Sequence, residues 1–271
     1  MAPFVFAIRK YIAITYINYL SRFAYIPDML SELPIMLFRL WVSSQFYAVT
    51  YSVTNTAEFD GLSFPQLMWL LMFVNCFESS STQPDLSKMI EDEVKSGTLA
   101  YSINKPYSYP WFHYAGYLGR TVPNLLINLI GGICLMYLLV SPVQMSLKGL
   151  LAGALLMVFG FTLHFLIDLC IGLLAFWIED VGSIAYLYHT ATLIFGGVIL
   201  PLSLFPTALK RIAELLPFGQ LYYSGARLMV EFEASHFFSF LQVQVFWLVV
   251  FFLLSLLIWR KGMKNVSISG G

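Results

Sequence analysis

The run LLAGALLMVFGFTLHFLIDLCIGLLAFW, residues 150–177, decides the fold class of this chain. It is longer than the roughly 20 apolar residues that a helix needs to cross a bilayer, and its only charged side chain is Asp168. The whole sequence has the same character, since 59% of its residues are hydrophobic and 11% are charged, against about 25% in a soluble domain. The sequence therefore predicts an all-α integral membrane protein.

Further apolar segments of spanning length lie on both sides of this run. Together they predict six transmembrane helices, at residues 26–50, 62–80, 121–140, 150–177, 184–204 and 238–259. No internal repeat or linker divides the chain, so residues 1–271 are predicted to form a single transmembrane domain. The formal net charge is zero, which predicts no nucleic-acid partner and leaves lipid as the partner implied by composition.

Lysine and arginine are distributed unevenly between the two sides that this topology creates. With both termini inside, the inner side carries ten of them and the outer side carries four. The inner set is Arg9, Lys10, Arg22, Lys88, Lys95, Lys105, Arg120, Arg260, Lys261 and Lys264; the outer set is Lys148, Lys210, Arg211 and Arg227. Because cytoplasmic loops are enriched in these residues, we predict a multi-pass protein of the plasma or inner membrane with both termini cytoplasmic.

Two segments outside the spans have the patterns of membrane-associated helices. Over residues 4–23, apolar side chains recur at helical spacing beside Arg9 and Lys10, which predicts a helix that lies flat in the cytoplasmic interface. Over residues 205–236, an apolar face between Pro206 and Pro217 predicts a short amphipathic helix within an outer, re-entrant connection. Such a connection must pack on neighbouring helices or line a cavity.

The most polar stretch of the chain is residues 82–106, TQPDLSKMIEDEVKSGTLAYSINKP. Thr82 and Asp85 have the spacing of a helix cap, and Gly97 is suited to end a helix in a left-handed conformation. One face between them is apolar, formed by Leu86, Met89, Ile90 and Val94 with Glu93 beside them. This pattern predicts a short amphipathic cytoplasmic helix that docks on a partner, or else an ordinary solvated connector.

The sequence has no motif for chemistry of its own. It contains no G-x-x-x-x-G-K-[ST] loop for nucleotide phosphates and no G-x-S-x-G nucleophile turn. His113, His164, His189 and His236 are scattered without the spacing of metal ligands, and we interpret them as structural. We therefore predict no enzymatic activity, no metal site and no cofactor bound by this chain.

Ionisable residues inside predicted spans are candidates for function because a charge in hydrocarbon is costly. Glu32, Arg39, Glu78 and Asp168 are the candidates for a translocation path, and Asp28 lies in the same first span. The alternative is that they only pair within the bundle, for example Arg39 with a carboxylate on another helix. The sequence does not decide between these two interpretations.

The stretch EDEVKSGTLAYSINKP, residues 91–106, resembles the E-x-E-x-x-x-G-T-L-x-x-L…P element that follows the second span in ABC-2 type permeases. These permeases are the membrane subunits of type V ATP-binding-cassette exporters. Glu91, Glu93, Gly97, Thr98, Leu99 and Pro106 occupy the matching positions, whereas Ile103 falls one place from the usual apolar position. The predicted layout and the tail VSISGG are also similar to a subfamily often described only as a domain of unknown function.

The resemblance implies the membrane half of a transporter rather than a complete one. The expected partners are a separate ATP-binding-cassette ATPase, which would bind ATP and magnesium, and a second permease, either another copy or a related chain. The stretch around residues 86–96 would be the coupling helix, and the ATPase-coupling residues would be Leu86, Met89, Ile90, Glu91, Glu93, Val94, Lys95, Gly97, Thr98, Leu99 and Pro106.

The implied substrate is a small hydrophobic, amphipathic or lipid-like molecule that is exported. An ion-driven secondary transporter that uses Arg39 and the carboxylates, and a membrane scaffold that transports nothing, are the two other functions compatible with the residues. Paired broken helices or inverted repeats would favour the first of these, and we find no such pair in the sequence.

Overall fold

The structure, a computed structural model, describes residues 2–24, 26–81 and 86–269, without the side chains of residues 2–7, 28, 29, 32 and 265–269. The chain is 83% helical. In chain order the helices are α1 (Ala2–Ala24), α2 (Ile26–Thr54), α3 (Phe64–Ser81), α4 (Leu86–Lys95), α5 (Leu99–Ile103), α6 (Tyr109–Leu139), α7 (Leu147–Leu173), α8 (Gly182–Phe195), α9 (Thr207–Leu215), α10 (Pro217–Leu221), α11 (Tyr223–Val230) and α12 (Ala234–Ser269). A two-stranded hairpin, β1 (Glu58–Phe59) and β2 (Leu62–Ser63), joins α2 to α3.

Three helices of the described chain are long and apolar enough to cross a membrane. They are Tyr109–Leu139, Leu147–Phe176 and Ala234–Lys264, which cover the predicted third, fourth and sixth spans. Local signals set their ends: Pro110 lies in the first turn of α6, and the Ser146 hydroxyl accepts a hydrogen bond from the Gly149 amide at the start of α7. The fold is therefore that of a nearly all-α membrane protein.

The predicted fifth span, residues 184–204, is not a continuous helix. The helix α8 ends at Phe195, and Gly197 follows with a positive φ of 78°. Pro201 then precedes a single 3₁₀ turn, Leu202–Leu204. A run of apolar residues met the length criterion for a span, but Gly196, Gly197 and Pro201 stop the helix inside it.

The N-terminal helix runs beside α6 and in the same direction. The Lys10 amine donates to the Pro106 carbonyl, the Thr15 hydroxyl to the Ala115 carbonyl over 3.1 Å, and the Arg22 Nε to Asn124 Oδ1 over 2.9 Å. These contacts advance together along both helices. They fall between residues 106 and 124, mostly before the predicted third span at residues 121–140, so the predicted orientation of α1, flat in the cytoplasmic interface, stays a prediction. The helix itself, predicted at residues 4–23, is present.

The segment between α8 and α12 returns into the helical bundle. Pro206 and Pro217 bound α9 as predicted, and every residue of α11 is buried, mainly against α7 and α3. Glycines on α7 permit this approach, since a Cβ on Gly153 would lie 2.6 Å from the Gly225 carbonyl oxygen. The predicted packing of this connection on neighbouring helices is therefore confirmed.

The hairpin closes over one end of this packed segment. Asp60 and Gly61 form its turn with positive φ angles of 55° and 74°. The Asp60 carboxylate pairs with Lys210 of α9 at 2.5 Å, and its carbonyl accepts a hydrogen bond from Arg227 of α11 over 3.1 Å. A residue in a strained conformation is thus fixed by two cations from the connection that precedes α12.

Candidate functional site

The predicted amphipathic helix is present as α4, and it ends as predicted. Gly97 follows it with a φ of 73°, a conformation that glycine adopts without the steric cost of a side chain. Glu91 accepts a hydrogen bond from Lys95 one turn later, and this contact raises the pKa of the Lys95 amine. Thr82, Pro84 and Asp85, which were expected to begin the helix, lie outside the described residues.

The apolar face of α4 packs on the same chain rather than facing outward. Leu86 and Ile90 are 3% and 0% exposed, and α4 contacts α7 and the turn that follows it. The contact is close, because a Cβ on Gly172 of α7 would lie 2.9 Å from Ile90 Cβ. The expectation that Leu86 and Ile90 anchor a partner protein is therefore wrong. Met89 and Val94, which are partly buried, also pack against the core.

The opposite face of α4 is open and charged. Lys88, Asp92 and Lys95 are exposed there, and Ser96 and Thr98 continue the surface past the end of the helix. These residues line a shallow concavity of about 770 Å³, which Met89 and Glu93 complete. Nearby, Tyr101 of α5 is 75% exposed. A partner can reach this face without disturbing the packing of α4.

Other residues of the matched motif fix the segment to the bundle. The Tyr109 hydroxyl donates to Glu93 Oε2 over 2.8 Å, and the Tyr109 ring stacks on Trp259 of α12 with centroids 5.1 Å apart. Leu99 is buried, and the Pro106 carbonyl accepts from Lys10 of α1. Glu93 and Pro106 therefore connect the α4–α5 region to α6 and α1.

Arg39 of α2 forms an ion pair with Glu78 of α3. Arg39 Nη1 lies 3.2 Å from Glu78 Oε2 and donates to Asn75 Oδ1 over 3.1 Å. The Glu78 side chain is 8% exposed and the Arg39 side chain 36% exposed, and His189 Nε2 of α8 lies 3.8 Å from Glu78 Oε1. The pairing of Arg39 with a carboxylate on another helix, which was the example given for one of the two open interpretations, is therefore present. Glu78 lies between two partly exposed groups, one on α2 and one on α8.

Asp168 belongs to a second polar group, which lies between α7 and α8. His164, one turn earlier on α7, lies 3.7 Å from Asp168, and its Nδ1 is 2.5 Å from the Tyr188 hydroxyl of α8. The Tyr222 hydroxyl is 2.6 Å from Ser81 Oγ of α3, at the end of the helix that carries Glu78. Buried polar groups are kept in pairs here, as a low-dielectric interior requires.

The structure brings three of the four candidate path residues into this polar region and leaves the fourth undecided. Arg39 and Glu78 are in direct contact, and Asp168 lies on the neighbouring helix α7 with His164. The side chain of Glu32 lies outside the described residues. We define the polar seam as Arg39, Glu78, Ser81, His164, Asp168, Tyr188, His189 and Tyr222.

Sequence reasoning missed the histidines and tyrosines of the polar seam. His164 and Asp168 are four residues apart, a spacing that puts both on one helix face and could have indicated their contact. Nothing in the sequence brings Tyr222 to Ser81, because that contact depends on the return of α10 and α11 into the bundle. Among the described residues, no group of three or more His, Cys, Asp or Glu side chains is placed to hold a metal ion.

A comparison with known protein families gives a match. A family model described as ABC-2 family transporter protein matches residues 39–270, which include α4, the polar seam and α12. Among curated proteins, none matches the chain.

Proposed function

Because the chain belongs to the ABC-2 family of transporter proteins, we propose that it is the permease half of an ATP-binding-cassette exporter. Its ATPase is a separate subunit that binds ATP and magnesium, and this chain contributes no catalytic residue and binds no cofactor. Two permeases, identical or related, form the complete membrane unit. Membership of the family supports a membrane transporter component of the permease type.

The proposed topology has six spans with both termini in the cytoplasm of the cell membrane. The spans are α2, α3, α6, α7, α8 and α12, of which α6, α7 and α12 have the length and composition expected for crossing. The helices α2 and α3 carry ionisable residues that face one another, and α8 is completed by the segment up to residue 204. The uneven distribution of lysine and arginine supports this orientation.

One observation carries the proposed mechanism: α4 packs directly on α7, one turn from Asp168. Ile90 of α4 meets Gly172, and Asp168 precedes Gly172 by four residues, which is one helical turn. A Cβ on Gly172 would also lie 3.0 Å from Ser87 Cα, so the backbone of α4 approaches α7 closely at this point. We therefore expect a displacement of α4 to be transmitted to α7 and to the polar seam.

The proposed docking surface is the open face of α4, not its apolar face. A partner that bears complementary charges would meet Lys88, Asp92 and Lys95, with the exposed ring of Tyr101 as an apolar contact. ATP-driven closure of two ATPase subunits would then pull on α4 from its open side. The buried side would carry that force into α7.

The proposed translocation path is the groove between α2 and α8, with Glu78 at its floor. Arg39 and His189 reach Glu78 from the two walls and remain partly exposed. Partly exposed charged groups inside a membrane domain are expected to face water or protein rather than lipid. A second permease placed over this groove would enclose them, and the path would run between the two copies for a small hydrophobic or amphipathic substrate.

The proposal is tested by reversing charges on the open face of α4. Lys88→Glu and Asp92→Arg, alone and together, should reduce co-purification of the ATPase and abolish ATP-dependent transport while leaving the folded protein intact. Lys261→Glu, near the end of α12, is the matched control because it changes an exposed cation on another helix. Full association and transport by the double variant would refute docking at this face.

The same experiment separates the alternatives. An ion-driven transporter would keep transporting without any ATPase, and a scaffold would bind partners without transporting. Substrate-stimulated ATPase activity of the reconstituted complex, measured over a chemically diverse panel, identifies the substrate class because stimulation requires different affinities in different transport states.

A further inference from the structure

An apolar groove with a basic rim lies between α1 and α6, away from α4 and from the polar seam. It has a volume of about 610 Å³, within the roughly 300–1,000 Å³ of ligand sites. Its lining is uncharged and mostly apolar or aromatic, and includes Ile8, Ile12 and Tyr16 from α1 and Trp111, Leu118 and Val122 from α6. Ile12 and Tyr16 are more than half exposed, so the groove is accessible from outside the bundle.

Three cations lie at the end of this groove where α1 meets the start of α6. Arg9 and Lys10 are exposed next to the lining residue Ile8, and the Lys10 amine bonds to the Pro106 carbonyl. Lys105, also exposed, is the neighbour of Pro106 in the chain. An apolar cleft is therefore continuous with a cluster of positive charge.

We propose that this groove is a binding site for an anionic phospholipid of the cytoplasmic leaflet. One acyl chain lies along the apolar lining between α1 and α6, and the phosphate group lies at Arg9, Lys10 and Lys105. The charge selects the ligand, because the cytoplasmic leaflet is the anionic one and basic residues at its surface attract such lipids. Trp111 suits the boundary between head group and chain, where aromatic rings are enriched.

The site does not depend on ATPase docking, and it rests on the proposed topology, which puts the start of α6 at the cytoplasmic leaflet. Lys10 and Tyr11 also hold the backbone at Pro106 and Ser108, since the Ser108 amide donates to the Tyr11 hydroxyl over 3.0 Å. The bound lipid would thus lie against the carboxyl end of the matched motif.

The test uses the full chain in detergent, without ATP or ATPase, and lipids with brominated acyl chains that quench tryptophan. A Trp111→Phe variant carrying Tyr16→Trp gives a reporter on α1 that lines this groove, and Trp111→Phe alone supplies the background. Brominated phosphatidylglycerol should quench the reporter at lower mole fractions than brominated phosphatidylcholine. In the reporter background, Arg9→Gln and Lys105→Gln should each weaken this preference about fivefold.

Two further variants serve as controls. Lys261→Gln removes an exposed cation elsewhere on the cytoplasmic side and should leave the preference unchanged, whereas Val122→Phe should reduce quenching by both lipids because it fills the groove. Equal quenching by the two lipids in the reporter protein would overturn the proposal. An equal loss in Lys261→Gln would also overturn it, since attraction would then come from general surface charge.

Discussion

Replacing Arg39 with methionine should destabilise the helical bundle and alter the proposed path at one point. Glu78 is largely buried, and the substitution removes a guanidinium that lies 3.2 Å from its carboxylate. Methionine keeps most of the length of the side chain, so the loss is chiefly electrostatic. His189, at 3.8 Å, remains near the carboxylate and limits the effect.

The magnitude follows from the distance and the exposure of the pair. At 3.2 Å, two unit charges in a medium of effective dielectric near 20 attract by about 5 kcal/mol. Arg39 is 36% exposed, so solvent screens part of this attraction, and the desolvation of Glu78 offsets more. We expect the coupling energy between the two side chains to be about 1–3 kcal/mol.

A double-mutant cycle measures that coupling directly. The free energy of unfolding is determined by denaturant titration in detergent for the parent, Arg39→Met, Glu78→Gln and the double variant. The double variant should be more stable than the sum of the single losses predicts. If the two losses add within about 0.5 kcal/mol, the pair contributes nothing specific and the reasoning from burial and distance is refuted.

Gly172→Ala should displace α4 from α7, because the added carbon would lie 2.9 Å from Ile90 Cβ. Such overpacking lowers the free energy of unfolding by about 1–3 kcal/mol. Amide hydrogen exchange over Leu86–Lys95 should therefore accelerate. Gly116→Ala is the matched control, since its nearest contacts would be at 3.7 Å, and equal exchange in the two variants would contradict the close α4–α7 contact. Burial raises the pKa of Glu214 above its usual range, and Lys210 opposes the shift. The native state therefore holds this proton more tightly, so stability falls as pH rises from about 4 through the raised pKa. Glu214→Gln should remove this loss of stability, so the substitution should raise the melting temperature more at pH 7 than at about pH 4. An equal increase at both pH values would contradict a raised pKa for Glu214.

Local signals in the sequence predicted the helices of this fold well, and their packing less well. The spacing of apolar residues and the glycine stop predicted α4, because helix periodicity and termination depend on neighbours in the chain. The same pattern did not tell which protein surface would cover the apolar face. Leu86 and Ile90 suit a groove on a partner and a groove beside Gly172 equally well, and only the three-dimensional structure shows the second.

In the polar seam, too, the sequence indicated a kind of contact but not the residues that make it. The cost of a charge in hydrocarbon made a pair between Arg39 and a carboxylate one of two interpretations, but the choice of Glu78 over Asp168 depends on how α2 and α3 pack. The end of α8 was missed for a different reason. The apolar composition of residues 184–204 predicts a span, although Gly197 and Pro201 within that segment are unfavourable to a continuous helix.

The buried position of Arg227 has a consequence for how the protein is made. A buried guanidinium needs partners, and Arg227 finds them in the Asp60 carbonyl and in the Glu231 carboxylate at 2.8 Å. Synthesis proceeds from the N-terminus, so the hairpin, α3 and α7 leave the ribosome before α11 does. The order of segments along the chain thus allows the acceptor and the packing surfaces to be in place before the charged helix is made.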